Sequence, residues 1–189
     1  MTVLAPTLTA RVFPRTSNWL RDLFLILAGS LFAALCAQIE IPLPFSPVPI
    51  TGQTFAVLLV GAALGSKRGA AAMITYIAEG ALGLPFFAGG AGGFGILTSA
   101  TAGYLVGFVA AAYVIGLLAE QGLERSVRTS LIPFLVGTII IYAFGVTWLT
   151  ILFGIQNALV FGLLPFLIGD TIKLIAAALA LPAAWKLLP

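Results

Sequence analysis

Apolar residues gather in six long stretches, at 19–38, 51–65, 69–83, 100–119, 131–153 and 163–185, and polar residues fall almost entirely between them. None shows the strict apolar–polar alternation that the strands of a membrane barrel require. Continuous runs of this length predict membrane-crossing helices. The second and third are short. Fifteen residues at about 1.5 Å each rise only about 23 Å, against a hydrocarbon core of about 30 Å. A short helix is tolerated where the neighbouring loop is covered by protein or lines a cavity.

Two loops flank these short helices. The first, IEIPLPFSPVPIT, carries Pro42, Pro44, Pro47 and Pro49, which exclude a helix and favour extended backbone. The second, GLPFFAGGAGGFGILTS, carries Gly89, Gly90, Gly92, Gly93 and Gly95, which open backbone shapes closed to other residues. Both are markedly apolar for exposed connections, so they are expected to fold back onto the bundle.

Composition agrees with this pattern. Only 8% of the 189 residues are charged and 61% are hydrophobic, with a mean hydropathy of +1.15. A soluble surface needs roughly 25% charged residues. We therefore read an all-α integral membrane protein, a single transmembrane domain over 1–189 whose residues 1–18 form a cytoplasmic segment. Residues 11–37 imitate a secretory signal, with a basic start and an apolar middle. The run is long for such a signal and no small-residue cleavage site follows, so it is read as the first helix.

Charge sets the orientation. Arg11 and Arg15 precede the first stretch and Arg21 lies at its start, Lys67 and Arg68 separate the second and third, Arg125 and Arg128 the fourth and fifth, and Lys186 follows the sixth. With six crossings all of these lie on one side, which the positive-inside rule makes cytoplasmic. Both termini then lie inside, in a bacterial-type cytoplasmic membrane. The net charge of +3 comes from sparse, scattered residues and does not point to nucleic acid.

The remaining basic residue, Lys173, lies inside the sixth stretch, three positions after Asp170. On a helix the two share a face. Ionisable groups at membrane depth are costly and mark a binding site or an ion path, whereas a pair that serves only structure is often no better than an apolar replacement. The topology places both near the outer face, beside the two loops. Gln53 offers an amide with donors and an acceptor, for a ligand or as a helix cap. The glycine cluster reads as a tight loop or as a lid over a ligand. Phe86, Phe87, Phe94 and Tyr104 are belt, core or lining residues. Glu79 reads equally as a satisfied buried acid or an interfacial one. Gly29, Ala33 and Ala37 form a small-residue face that suits an intramolecular helix contact and a partner contact alike.

Enzymatic constellations are missing. The chain has no histidine and one cysteine, Cys36, an apolar-run residue suited to packing. There is no G-x-S-x-G, no metal-ligand spacing and no G-x-x-x-x-G-K-[ST] phosphate loop. No metal or cofactor is expected. An ion-coupled secondary transporter of a small carboxylate, using Asp170 and Lys173, is the competing reading; it should carry internal repeats, and none is evident.

The motifs PFSPVPITGQT, EGALGLPFFAGGAGG, AGYLVGF and PFLIGDTIK, in this order and spacing, resemble the biotin-specific substrate-binding (S) component of ECF-type vitamin transporters, the BioY family. The resemblance runs from the first helix to the C-terminus. It implies a six-helix S-component bundle, biotin captured at the outer face as the transported ligand, and as partners a transmembrane coupling (T) subunit, a pair of ATPases and the surrounding membrane lipids. Site residues implied by it are Asp170 and Lys173, Gln53, Phe86, the loop glycines Gly89, Gly90 and Gly92, and Tyr104. The small face at Gly29, Ala33 and Ala37 is similar to the surface that S components present to the T subunit. The segment from Thr98 to Tyr104 departs from the family's frequent G-P-[ST]-G-G-Y, and two single positions depart as well. Ala91 and Leu105 stand where some relatives carry Asn and Arg. On this resemblance Lys173 is expected to neutralise the biotin carboxylate and Asp170 to accept a ureido N–H, with a different distribution of the two roles as the alternative.

Overall fold

The computed structural model describes residues 7–9 and 19–187. Among them are seven α-helices: α1 Trp19–Ala37, α2 Gln53–Leu64, α3 Ser66–Ala81, α4 Ala102–Ala119, α5 Val127–Phe153, α6 Ile155–Gly162 and α7 Leu167–Lys186. Each of the six apolar stretches overlaps one of them, with ends that differ by up to four residues. The additional helix is α6. Gly154, at φ 80°, breaks the chain after α5, and eight further residues coil against α5 before Pro165 delays the start of α7 to Leu167. Helix α5 begins at Val127 rather than 131, because the Ser126 side chain caps it by accepting from the Thr129 N–H at 3.3 Å.

Four helices, α1, α4, α5 and α7, are long and apolar enough to cross a membrane. Their outward faces carry Phe24, Leu31 and Leu35 on α1, Ile139 on α5 and Ile168 and Ile172 on α7, all exposed. This is the surface of a helix that meets lipid rather than water. Helix α4 sits at the centre and packs on α2, α3 and α5, while α7 closes the bundle against α5 and α2.

Helix α1 packs on α2 and α3 through its small residues, and this corrects one expectation. Ala33 and Ala37 are only 1% and 0% exposed, and Gly29 faces Val60, Leu64 and Ala72. The small face is used inside the chain. It lets two backbones approach and leaves the large side chains of α1 outside. Glu79 belongs to the same contact: Ser30, fully buried on α1, donates its hydroxyl to the Glu79 carboxylate on α3.

Charged groups collect at one end of the bundle. Asp22 accepts from Arg21 and from Arg68, each at 3.1 Å, joining the start of α1 to the α2–α3 corner. Glu120, at the end of α4, accepts from the Ser66 N–H and hydroxyl at 2.8 Å and so caps α3. The corner fits only because Gly116 has no side chain: a Cβ there would lie 2.2 Å from the Ser66 nitrogen. Arg125 stacks over Trp185, 5.0 Å from the ring centroid, near Lys186. Arg11 and Arg15 lie outside the described residues.

The other end carries the two loops. Strands β1 Glu40–Ile41 and β2 Ile50–Thr51 pair antiparallel, Glu40 opposite Thr51, and pinch the proline segment into a hairpin. The glycine loop turns through two short 3-10 segments, Ala88–Gly90 and Phe94–Thr98.

Candidate binding cavity beneath the loops

A cavity of about 250 Å³ lies under both loops, between α2, α4, α5 and α7. Its polar centre is built by i, i+3 spacing on α7. Lys173 Nζ lies 2.7 Å from Asp170 Oδ1, and Asp170 is almost fully buried. Thr54, one position after the start of α2, donates to Asp170 Oδ1 at 2.9 Å and accepts from Lys173 at 3.1 Å. Tyr142, midway along α5, donates to Asp170 Oδ2 at 2.6 Å. The pair is therefore neutralised and hydrogen-bonded, as a charge away from water requires.

The count of bonds defines what remains. A carboxylate offers about four acceptor sites and an ammonium three donors. Thr54, Lys173 and Tyr142 occupy three of the acceptor sites, and Asp170 and Thr54 two of the donors. Among the described residues one acceptor site on Asp170 and one donor on Lys173 stay open, on two groups that are in contact and both line the cavity.

The cavity is walled by Val48, Phe87, Ile96, Leu105, Phe108 and Ile141, with hydroxyls of Thr51, Ser99 and Thr101 and the carboxyl of Glu40 also in the lining. Tyr104 lies in the wall too. Its hydroxyl donates to the Gly162 carbonyl at 2.6 Å, which holds the end of α6.

Among the residues expected from the sequence, Asp170, Lys173, Gln53 and Tyr104 converge on this cavity. Phe86 does not line it. Successive side chains diverge, and Phe87 is the one that turns inward, 3% exposed, its ring seated where Gly80 lacks a Cβ. Gly89, Gly90 and Gly92 do not line it either; their neighbours Ala88 and Ala91 do. The glycines shape the loop instead, Gly89 and Gly90 at φ 66° and 71°. Phe94 is exposed on the outside. Ala91 and Leu105, the two single-position departures from the motif, both face the cavity, so these walls are apolar here.

Sequence reasoning missed Thr54 and Tyr142. The available signal was Tyr142 itself: a hydroxyl in mid-helix, in an apolar span, needs a partner.

The arrangement suits a small molecule with an apolar body and a polar edge that both donates and accepts. Among the described residues no three His, Cys, Asp or Glu side chains are grouped to hold a metal ion.

Comparison with known proteins agrees over almost the whole chain. The BioY family model matches residues 7–189. A biotin transporter BioY of Rhizobium etli is 39% identical over 184 residues, covering 89% of this chain and 97% of the relative. One from Thermotoga maritima is 44% identical over 156 residues, covering 82% and 91%. The crystal structure of the S-component for biotin from an ECF-type ABC transporter superposes with a TM-score of 0.81 at 27% identity, covering 91% of this chain and 95% of that one.

Proposed function

This chain belongs to the BioY family, and from that membership we propose that its cavity captures biotin and that the protein serves as the substrate-binding subunit of an ECF-type transporter. The family is one of transporters, not enzymes. Its relatives are named biotin transporters.

The observation that carries the reading is the open acceptor beside the open donor on Asp170 and Lys173. A urea presents an N–H next to a C=O, and the biotin ureido ring matches that edge. The apolar walls suit its thioether ring. The 2.7 Å contact also revises the division of labour expected from the sequence. The head and tail of an extended ligand cannot both end on atoms so close together. Asp170 and Lys173 therefore take the ureido end together, and the carboxylate tail runs toward other polar lining residues, Thr51, Ser99 and Thr101.

Biotin and its tail amide separate the two assignments. If the pair holds the ureido ring, Lys173→Met weakens both ligands by a similar factor, on the order of 10–100-fold for one lost charged hydrogen bond. A loss confined to the acid would assign Lys173 to the carboxylate and overturn this geometry.

The same reading gives six crossings, α1 to α5 and α7, with the charged end and both termini in the cytoplasm, the cavity opening outward, and a T subunit with two ATPases engaging the protein from within the membrane and below it. The membrane would be the cytoplasmic one. In a Cys36-free background, a cysteine at Gly95 should react with an impermeant maleimide in intact cells. One at Lys67 should react only after permeabilisation; the reverse pattern refutes the orientation.

A further inference from the structure

Beneath the two loops, a chain of hydrogen bonds runs from the cavity wall to a buried tyrosine behind it and joins one loop to the other. It begins in the hairpin, where the Thr51 hydroxyl donates to Gln53 Oε1 at 2.8 Å. The Gln53 amide donates to the Tyr76 hydroxyl on α3. Tyr76 in turn donates to the Phe86 carbonyl in the glycine loop at 3.3 Å. The Tyr76 side chain is fully buried, and its ring meets Phe87 edge-on, with centroids 5.6 Å apart and planes at 84°. The hairpin end of the chain lines the cavity through Thr51 and Gln53, and the loop end reaches it through Phe87, next to Phe86, whereas Tyr76 does not line it. A second tie runs beside it: the Gln38 amide, at the end of α1, donates to the Pro85 carbonyl at 3.3 Å.

We propose that Tyr76 is a positioning residue for the ligand site: its hydroxyl couples the proline hairpin to the glycine loop, so that the two covers open and close as one. The proposal rests on the biotin reading. Tyr76 is too remote to touch the ligand, and any effect it has on binding passes through Gln53 and the loop it holds. The physical basis is that the chain turns on a fully buried hydroxyl: the Gln53–Tyr76 bond is away from water, and the Thr51 and Phe86 bonds at its ends are partly so. Deleting the Tyr76 hydroxyl takes the partner from both the Gln53 amide and the Phe86 carbonyl, and an unmet buried polar group costs more than the bond was worth. The cheapest relief is for each loop to move until water reaches it, and the two then move independently.

The test uses the purified protein in detergent, stripped of ligand, with biotin as the probe. Tyr76→Phe keeps the ring and its edge contact with Phe87 and deletes only the hydroxyl. It should speed biotin release by about tenfold, the loss of roughly one buried hydrogen bond. Association should change little. Thr51→Val breaks the chain at its far end. Amide hydrogen exchange on ligand-free protein should then rise across 84–93 in Thr51→Val, although Thr51 lies in the other loop. It should rise across both 40–51 and 84–93 in Tyr76→Phe. A Tyr76→Phe protein that melts earlier but releases biotin at the wild-type rate would reduce Tyr76 to packing and overturn the proposal. So would exchange in Thr51→Val that rises only in the hairpin. If the wild-type protein itself does not bind biotin, the ligand reading fails, while the exchange arm still decides whether the loops are coupled.

Discussion

Glu124 sits in the connection between α4 and α5 with no exposed surface, and neither carboxylate oxygen has a hydrogen-bond partner among the described residues. Arg125 Nε lies 4.0 Å from Oε1, too far for a bond. Burial holds the carboxyl's pKa above the ordinary glutamate value, against the smaller opposing pull of its own backbone N–H, too poorly placed for a hydrogen bond, and of Arg125. Between the ordinary value and the raised one, the folded protein keeps a proton that the unfolded chain has lost. Stability therefore falls as pH rises through that window, and the cost is absent below it. Glu124→Gln, uncharged at every pH, should flatten this part of the melting-temperature profile. An unchanged or steeper slope would mean that the group is ionised and paired in the fold. At this scale the sequence was informative where a polar residue interrupts an apolar run: Asp170, Lys173 and Gln53 could be singled out on that ground alone. Thr54 could not, because threonine bonds its own helix backbone so often that its presence carries little signal. Neither could the inward turn of Phe87 rather than Phe86, which depends on the space above Gly80.

The elements were legible as apolar runs, and their limits followed local chemistry that a run does not display. Ser126 moved the start of α5, and Gly154 and Pro165 set off α6 as a separate element. The small face of α1 shows a deeper limit. A row of small residues reports a close contact but not which helix makes it, and here the helices are α2 and α3 of the same chain, with Gly29 against Val60, Leu64 and Ala72. Ala33→Leu should thus act on folding: overpacking of this kind costs about 1–3 kcal/mol, and the detergent-solubilised protein should melt earlier. A variant with unaltered melting that loses only ATP-driven uptake would restore the partner-contact reading of this face.

Across the whole molecule the division of labour is vertical. Charged residues tie helix ends together at one end, and at the other two apolar loops cover a cavity whose only ion pair lies on α7. Between them the outer surface is apolar. The short α2 and α3 make this possible, because the depth that they do not span is filled by the hairpin and the glycine loop. The sequence showed that those loops are apolar and that the helices beside them are short. It could not show that Tyr142 of α5 and Thr54 of α2 meet at one carboxylate, since that meeting joins positions far apart in the chain. The central claim is that this cavity holds biotin. It is tested most directly by calorimetric titration of the purified protein with biotin, after any co-purified ligand has been stripped. The account predicts tight binding of one biotin per chain, lost or severely weakened in Asp170→Asn. A folded protein that takes up no biotin would contradict it and leave Asp170 and Lys173 as an ion path or a structural pair.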